Sequence, residues 1–374
     1  MSRLRPLVKW TGGKFDEFPY FASHVPKFER YVEPFFGGGG VFFALQPDLP
    51  SLINDKSEDL IDFYKQILTP EFEKELYRYA DAWEALGELT TFLWRDAKTS
   101  YTKFTKGTES VLDLKESLKK KLYFFVQNNE VLGDENFIVD LDAFQITLLT
   151  NILSKAKRIK NILEKENKSF KASELLDHFE TGIRSGAYLF FRKLLNQHYH
   201  KVRVLDNAKA AANWYFIREF CYGAMFRFNK KGDFNIPYGG IAYNTRKFRK
   251  KISKIFAPRV KKLFSKASLF NHDFEKFLTE SDLQKGDFVF VDPPYDSEFS
   301  EYDQSAFTQH DQKRLSDFLK NTPAKWMLVI KETEFIRELY TDPKIRIADF
   351  GKNYIYNVRG RNGRKVTHLI IMNY

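Results

Sequence analysis

The sequence predicts an α/β protein in which a mostly parallel sheet is interrupted by a long, mainly helical insertion. Three observations favour this fold. The run FVFV at residues 288–291 is apolar, as buried parallel strands are, and the residues DPPY end it abruptly. A second apolar strand, Arg30–Glu33, runs into four glycines and then a helix over Val41–Leu45. From about residue 69, apolar residues recur instead at helical spacing.

The composition favours a soluble protein that meets a polyanion. The chain has 374 residues, a net charge of +11 and 17% aromatic residues, which suits nucleic acid whose bases are contacted. Cys221 is the single cysteine, so neither an internal disulfide nor a metal cluster is expected. With no apolar leader or membrane span in the sequence, we expect a soluble intracellular protein.

The DPPY segment has the groups needed to hold a planar heterocycle that carries an amine. Asp292 and the carbonyl of Pro293 could each accept a hydrogen bond from the amine, and Tyr295 could stack on the ring for roughly 1–3 kcal/mol. Pro293 and Pro294 together stiffen the loop. Two acceptors would ready the nitrogen for attack on an electrophile. The structural alternative is a strand that ends in an ordinary Asp-Pro turn.

The glycine-rich stretch predicts close approach of the backbone to a ligand. Glycines after a strand permit that approach, and a helix N-terminus attracts negative charge. A dinucleotide-binding Rossmann site fits poorly, because Phe42 and Phe43 occupy the positions of its third glycine. A second strand, beginning at Ser51, ends at Asn54-Asp55, where Asp55 could hold a ribose hydroxyl pair or simply cap a helix.

Several segments together resemble the Dam-type DNA adenine-N6 methyltransferases (D12 class, alpha-group). The segments are KWTGGK at residues 9–14, EPFFGGGG at 33–40, NHDF at 271–274 and DPPY at 292–295. The resemblance implies a Rossmann-like sheet that ends in an antiparallel hairpin, here predicted at Asn353–Arg359 and Val366–Tyr374. It also implies S-adenosyl-L-methionine as the methyl donor and a cytoplasmic, nucleoid-associated protein of bacterial or phage type. The cofactor-binding residues it implies are Trp10, Lys14, Glu33, Pro34, Phe36, Gly37, Gly38, Gly39, Asp55, Asp273, Phe274 and Asp292.

A second part of the resemblance predicts a DNA-binding loop. The stretch AYLFFRKLLN (187–196) is similar to the start of the family's target-recognition region, and FRFNKKGDFNIPYGG (226–240) to the segment that follows. A plain surface hairpin is the structural alternative. The residues predicted to contact DNA are Arg227, Asn229, Lys230, Asn235, Pro237 and Tyr238 in the loop, and Arg359, Arg361, Asn362 and Arg364 in the terminal turn.

The resemblance and the helical pattern together predict the domain organisation. We expect a discontinuous catalytic domain from residues 1–69 and 265–374, and an inserted target-recognition domain at 70–264. Within the insertion, residues 70–185 form an extension that is longer than the family usually carries, with helices expected at Glu71–Arg95, Leu112–Val126 and Phe144–Lys165.

The expected reaction is methyl transfer to N6 of an adenine flipped out of duplex DNA, with Asp292, Pro293, Pro294 and Tyr295 as the catalytic residues. GATC is the recognition sequence that we expect first. The protein is expected to act as a monomer without a metal. A cognate restriction endonuclease is a further partner to test. Alternatives are an RNA adenine-N6 enzyme, an N4-cytosine enzyme and a non-catalytic DNA-binding protein.

Overall fold

The computed structural model describes residues 4–166, 169–294, 307–353 and 365–374. The chain divides into two compact units. The first combines Met1–Leu68 with Phe256–Tyr374, and the second is the continuous segment Thr69–Ile255. The helix Pro258–Phe264, which the sequence placed in the insertion, lies in the first unit.

One seven-stranded sheet forms the centre of the first unit within the described residues. Its order is β3-β2-β1-β4-β5-β7-β6, with β1 to β5 parallel and β7 antiparallel to both of its neighbours. This confirms the predicted fold class, including the antiparallel hairpin. The strands are β1 Arg30–Glu33, β2 Ser51–Asn54, β3 Ala267–Phe270, β4 Asp287–Val291, β5 Lys325–Lys331, β6 Arg346–Asn353 and β7 Lys365–Met372.

Two strands differ from the sequence prediction. The first strand of the hairpin begins at Arg346, where it pairs with Met372, rather than at Asn353, and residues 354–364 lie outside the described ranges. The edge strand β3 was not predicted. Its residues are only partly buried or exposed, so it lacks the continuous apolar run of an inner strand.

The core of the first unit lies on both faces of β4, whose five residues are all buried. Val289, Trp326, Leu328 and Ile371 belong to one buried cluster that spans neighbouring strands. The flanking helices are Phe18–Phe21, Gly40–Leu45, Glu58–Gln66, Pro258–Phe264, Phe274–Glu280, Gln309–Asn321 and Glu334–Leu339, with a 3₁₀ turn at Ala22–His24.

The second unit is built from long helices, as the apolar periodicity predicted. Pro70 occupies the first turn of one helix, and Ser110 with Asp113 forms a capping box on the next. None of the helices in the described ranges has both the length and the apolar character that crossing a membrane requires. The helices are Pro70–Thr105, Val111–Asn128, Leu141–Glu166, Ala172–Tyr199, Asn207–Phe220, Ile241–Asn244 and Phe248–Ile255, with a 3₁₀ turn at Tyr222–Ala224.

Candidate active site

The carboxyl edge of the sheet gathers most of the predicted cofactor residues. After β1 the chain continues to β2 on one side of the sheet, and after β4 it continues to β5 on the other side. The strands β1 and β4 therefore flank the point where the strand order reverses. Ligands of open α/β sheets bind at such a point. Glu33 is the last residue of β1, and Asp292 directly follows β4. Two acids therefore stand at the crevice.

Asn54 ties the turns at this edge together. Its side-chain amide donates to the carbonyls of Pro34 and His272, both at 3.1 Å, and its side-chain oxygen accepts from the amide of His272 at 2.9 Å. Asn54 is 1% exposed, so these bonds satisfy a buried polar group. The sequence analysis gave Asn54 no role. A polar residue ending a buried strand was the signal that could have identified it.

The glycine turn is shaped by the N-terminal segment that packs on it. Gly37 has φ +52°, and a Cβ there would lie 2.8 Å from the Trp10 ring. A Cβ on Gly40 would lie 2.8 Å from the backbone nitrogens of Lys14 and Phe15. The two predicted segments, KWTGGK and EPFFGGGG, are therefore in contact, and Gly37 and Gly40 are required sterically.

Asp55 is held by backbone amides on both carboxylate oxygens. Gly37 donates to Oδ2 at 2.7 Å, and Ser57 donates to Oδ1 at 2.9 Å. Burial raises the pKa of Asp55, and the two backbone hydrogen bonds oppose that rise. Each carboxylate oxygen has a second lone pair, so the group could still accept from a ligand hydroxyl.

Lys14 and Asp292 form an ion pair at the crevice. The Lys14 Nζ lies 2.8 Å from the Asp292 Oδ1, and Nζ also donates to the Gly12 carbonyl at 3.1 Å. The Lys14 side chain is 1% exposed and that of Asp292 is 18% exposed. The sequence had predicted that Lys14 contacts the cofactor; here it neutralises the acid of DPPY.

Glu33 is the most deeply buried acid of the edge, at 2% exposure. Burial raises its pKa well above the ordinary value. The hydrogen bond from the Tyr31 hydroxyl, at 2.8 Å, lowers it, while the negative charges of Asp292 and Asp55 raise it further. The crevice thus combines three acids with a single buried lysine among the described residues, an environment that favours a cationic ligand.

An aromatic wall forms beside the acids from residues distant in sequence. The Phe274 ring lies 5.3 Å from that of Phe35 and 5.5 Å from that of Phe307. Phe36, which the sequence predicted as a ligand contact, points away from this wall. Its side chain is 3% exposed and packs against the rings of Phe42 and Tyr64. The Phe36 side chain therefore lies in the core while Phe35 contributes to the wall, and the cofactor contact predicted for Phe36 stays a prediction.

Arg314 fixes the predicted adenine-binding pair Asp273-Phe274. Its guanidinium donates to Asp273 Oδ1 at 2.7 Å and lies 4.8 Å from the centre of the Phe274 ring. Asp273 also caps the helix Phe274–Glu280 by accepting from the amide of Glu275 at 3.0 Å. Arg314 and Phe307 were missed because nothing local in the sequence links them to residues 273–274.

The DPPY segment is anchored by a buried glutamine. The side-chain amide of Gln312, which is 0% exposed, donates to the Pro294 carbonyl at 3.2 Å. Pro293 is buried and Pro294 exposed. Tyr295, the predicted stacking residue, lies outside the described residues, as do Arg359, Arg361, Asn362 and Arg364.

In the second unit, the predicted DNA-binding loop has one exposed basic side. Asn229 folds the turn, because its side-chain oxygen accepts from the amides of Lys231 and Asp233 at 2.8 and 3.0 Å. Arg227, Lys230 and Pro237 are exposed. Asn229 thus acts within the loop, and its two basic neighbours face solvent.

Tyr238 is not placed as the sequence predicted. It is 7% exposed, and its hydroxyl donates to the side chain of Asn244 at 2.9 Å. Its ring packs near those of Trp83, Tyr188 and Tyr243. The Tyr238 side chain therefore lies in the core of its unit, and the DNA contact predicted for it stays a prediction. Tyr222 and Met225, which the sequence analysis passed over, are 56% and 46% exposed beside the loop.

The basic stretch after the loop is largely committed to internal ion pairs. Arg249 donates to Glu84 at 2.8 and 2.9 Å and also to Asp81, and Lys251 donates to Glu219. Lys250 and Lys254 remain exposed on the same helix. Only part of this stretch is therefore available to phosphates.

Comparison with known proteins agrees with the geometry. The family model of the D12 class N6 adenine-specific DNA methyltransferases matches residues 10–128 and 122–354. The Type II methyltransferase M.CviBI of Paramecium bursaria Chlorella virus NC1A is 25% identical over 99% of this chain and 100% of its own length. A DNA adenine methylase of Vibrio cholerae serotype O1 is 21% identical over 100% of this chain and 97% of its own.

A shorter alignment has higher identity. The retron Ec67 DNA adenine methylase of Escherichia coli is 34% identical over 165 residues, which cover 43% of this chain and 54% of that protein. The family model itself covers well over half of the sequence. On the strength of that match, the chain belongs to the D12 class of N6 adenine-specific DNA methyltransferases.

Proposed function

We propose that this protein transfers a methyl group from S-adenosyl-L-methionine to N6 of an adenine flipped out of duplex DNA. The observation that carries the proposal is the placement of Asp292. It follows β4 at the reversal point of the sheet, pairs with Lys14 at 2.8 Å, and begins a segment fixed by Gln312. The family match supplies the chemistry, which is adenine methylation of DNA.

The residues of the crevice fit the donor. A sulfonium and an ammonium are cationic, and the carboxylates of Asp55 and Asp292 line the crevice beside the buried acid Glu33. Asp55 has free lone pairs for ribose hydroxyls. Phe35, Phe274 and Phe307 offer an aromatic wall for an adenine ring, with Asp273 beside it. When bound, the donor supplies an activated methyl group on a positively charged sulfur.

Asp292 would act on the amine of the target base. Its ion pair with Lys14 restricts the orientation of the carboxylate, so one oxygen can accept from the N6 amine without further rearrangement. The carbonyl of Pro293 is proposed as the second acceptor and Tyr295 as the stacking partner. Positioning and fixed acceptors then provide the rate gain.

In the second unit, Arg227 and Lys230 are proposed to contact DNA, because both are exposed on the loop that Asn229 folds. Exposed Tyr222 and Met225 extend this surface with apolar contact area. GATC is the site we expect first. Since relatives are named Type II methyltransferases, a cognate restriction endonuclease is also proposed as a partner.

The test is sequencing that detects N6-methyladenine, on DNA from cells that express the wild type, Asp292→Asn or Asp317→Asn. We expect methylation at one short motif in the wild type and a loss of about 100- to 1,000-fold in the rate with Asp292→Asn. Asp317 is exposed on a helix of the same unit, so its variant serves as the matched control. Folded wild-type protein that leaves DNA unmethylated would overturn the proposal and make RNA the next substrate to test.

A further inference from the structure

Four polar residues form a ridge along one side of the helix Ala172–Tyr199 and its C-cap. They are Tyr188, Arg192, Asn196 and His200, each four positions after the last. Side chains at this spacing lie above one another on a helix. We call these four residues the 188–200 ridge.

Every member of the ridge bonds to one short stretch of the predicted DNA-binding loop. The Tyr188 hydroxyl donates to the Ile236 carbonyl at 2.8 Å. The Arg192 guanidinium donates to the carbonyls of Asn235 and Ile236 at 3.2 and 3.0 Å. The ridge thus follows the loop backbone, one helical turn at a time.

The lower half of the ridge continues the pattern. The side-chain amide of Asn196 donates to the Phe234 carbonyl at 3.2 Å, and its oxygen accepts from the Phe234 amide at 2.8 Å. The His200 Nε2 lies 2.8 Å from the Asp233 Oδ1. Asn196 therefore gives Phe234 the pair of hydrogen bonds that a neighbouring strand would give it.

Most of these contacts involve the main chain of the loop. In the described residues, regular strand pairing is missing from 233–236, where a single bridge joins Phe228 to Phe234. Buried carbonyls need partners, and the ridge supplies them. The helix thus helps to fix the path of the loop, together with the loop's own bridge between Phe228 and Phe234, while Arg227 and Lys230 are exposed.

We propose that Arg192 and Asn196 are specificity-determining positioning residues: through their hydrogen bonds to residues 234–236 they help to fix the path of the loop that reads DNA. This inference rests on the proposed function, because it assumes that Arg227 and its neighbours meet the duplex. Discrimination between bases depends on the geometry of contacts such as an Arg pair to guanine. A loop released from the ridge loses this geometry but keeps its charge, so binding persists while selectivity falls.

The experiment compares Arg192→Met, Arg192→Lys, Asn196→Ala and Lys193→Ala with the wild type. The measured quantity is the ratio of kcat/KM on the protein's own site to that on a site with one changed base pair. We expect the Met and Ala variants at 192 and 196 to lower this ratio about tenfold or more. Arg192→Lys should recover part of it, because an ammonium can still donate to one carbonyl.

Lys193→Ala is the matched control. Lys193 is exposed on the same helix and makes no hydrogen bond to the loop among the described residues, so its loss removes charge alone. We expect weaker binding to all DNA sequences with an unchanged ratio. Hydrogen exchange gives a readout that does not require activity: Asn196→Ala should expose the Phe234 amide, while β4 amides stay protected.

The outcomes separate this inference from the function on which it rests. A wild type that methylates no DNA defeats the proposed function and leaves the exchange result to report on the ridge. A wild type with a clear site, together with folded 192 and 196 variants of unchanged ratio, overturns the inference. Fast exchange of Phe234 in the wild type would overturn it as well.

Discussion

The carboxyl edge of the sheet and the predicted DNA-binding loop use their motif residues in opposite ways. At the edge, backbone amides and a buried amide side chain hold the structure, and the acids Glu33, Asp55 and Asp292 line the crevice. In the loop, Asn229 folds the turn and Tyr238 packs inside, so the motif side chains hold the backbone. A sequence motif can therefore identify the side chains that line a site, or the side chains that hold the backbone around it.

The largest expected effect comes from removing the positive charge that balances the acids at the carboxyl edge of the sheet. Lys14→Met removes the cation from Asp292 while three acids stay close together, which should lower the free energy of unfolding of the first unit by about 3–5 kcal/mol. Hydrogen exchange of β4 amides under increasing urea measures this loss.

The control for that variant is Lys65→Met. Lys65 is 46% exposed and lies 3.7 Å from an exposed Asp62, so its loss should change the free energy of unfolding by less than about 1 kcal/mol. Equal effects of the two variants would show that the Lys14 pair contributes no more than a surface pair.

A smaller effect depends on pH. Because burial raises the pKa of Glu33, its contribution to stability is fully present below the ordinary glutamate pKa and is lost as pH rises through the folded-state value. Between these two pKa values, the free energy of unfolding falls by about 1.4 kcal/mol per pH unit for one proton. Glu33→Gln should remove this slope and be more stable than the wild type at alkaline pH, at the expense of cofactor binding.

Denaturation of both proteins across the pH range checks the slope, with Glu338→Gln as an exposed control on the same unit. Parallel curves for wild type and Glu33→Gln would contradict the assignment. This experiment also distinguishes the edge of the sheet from the loop, because the loop has no acid among its described residues that is as buried as Glu33.

The smallest expected effects distinguish a side chain of the loop that contacts DNA from one that only supports the loop. Arg227→Ala should weaken DNA binding by about tenfold or less and reduce the slope of log affinity against log salt by about one. Tyr238→Phe should leave the DNA affinity unchanged but lower stability by about 0.5–1.5 kcal/mol, because it loses the bond to Asn244. Binding titrations at several salt concentrations and thermal unfolding measure both; a salt slope that moves with Tyr238→Phe would reverse the assignment.

The fold and the acids of the edge could be predicted because their signals are local. Strand runs that end in Glu33, Asp55 or Asp292 place each acid at the same edge once the strands are parallel. The aromatic wall could not be predicted in full. Phe307 and Arg314 reach Phe274 only through the packing of one helix on another, which no short segment encodes.

The two predicted site residues whose side chains lie in the core, Phe36 and Tyr238, have a common physical explanation. Neighbouring residues of a turn face opposite sides, and the sequence does not say which side is the core. Phe35 and Phe36 differ in this way, and so do Pro237 and Tyr238. Hydrophobic periodicity resolves such choices in helices and strands, where the period is fixed, but has no period to use in an irregular loop.

The parallel pairing of β1 with β4 has a consequence for synthesis. Tyr31 pairs with Phe288, so the centre of the sheet cannot form until most of the chain has left the ribosome. The helical unit Thr69–Ile255 is continuous, and its local contacts can form earlier. The helical unit can therefore begin to fold before β4 has been synthesised, and the crevice between β1 and β4 is completed only after that.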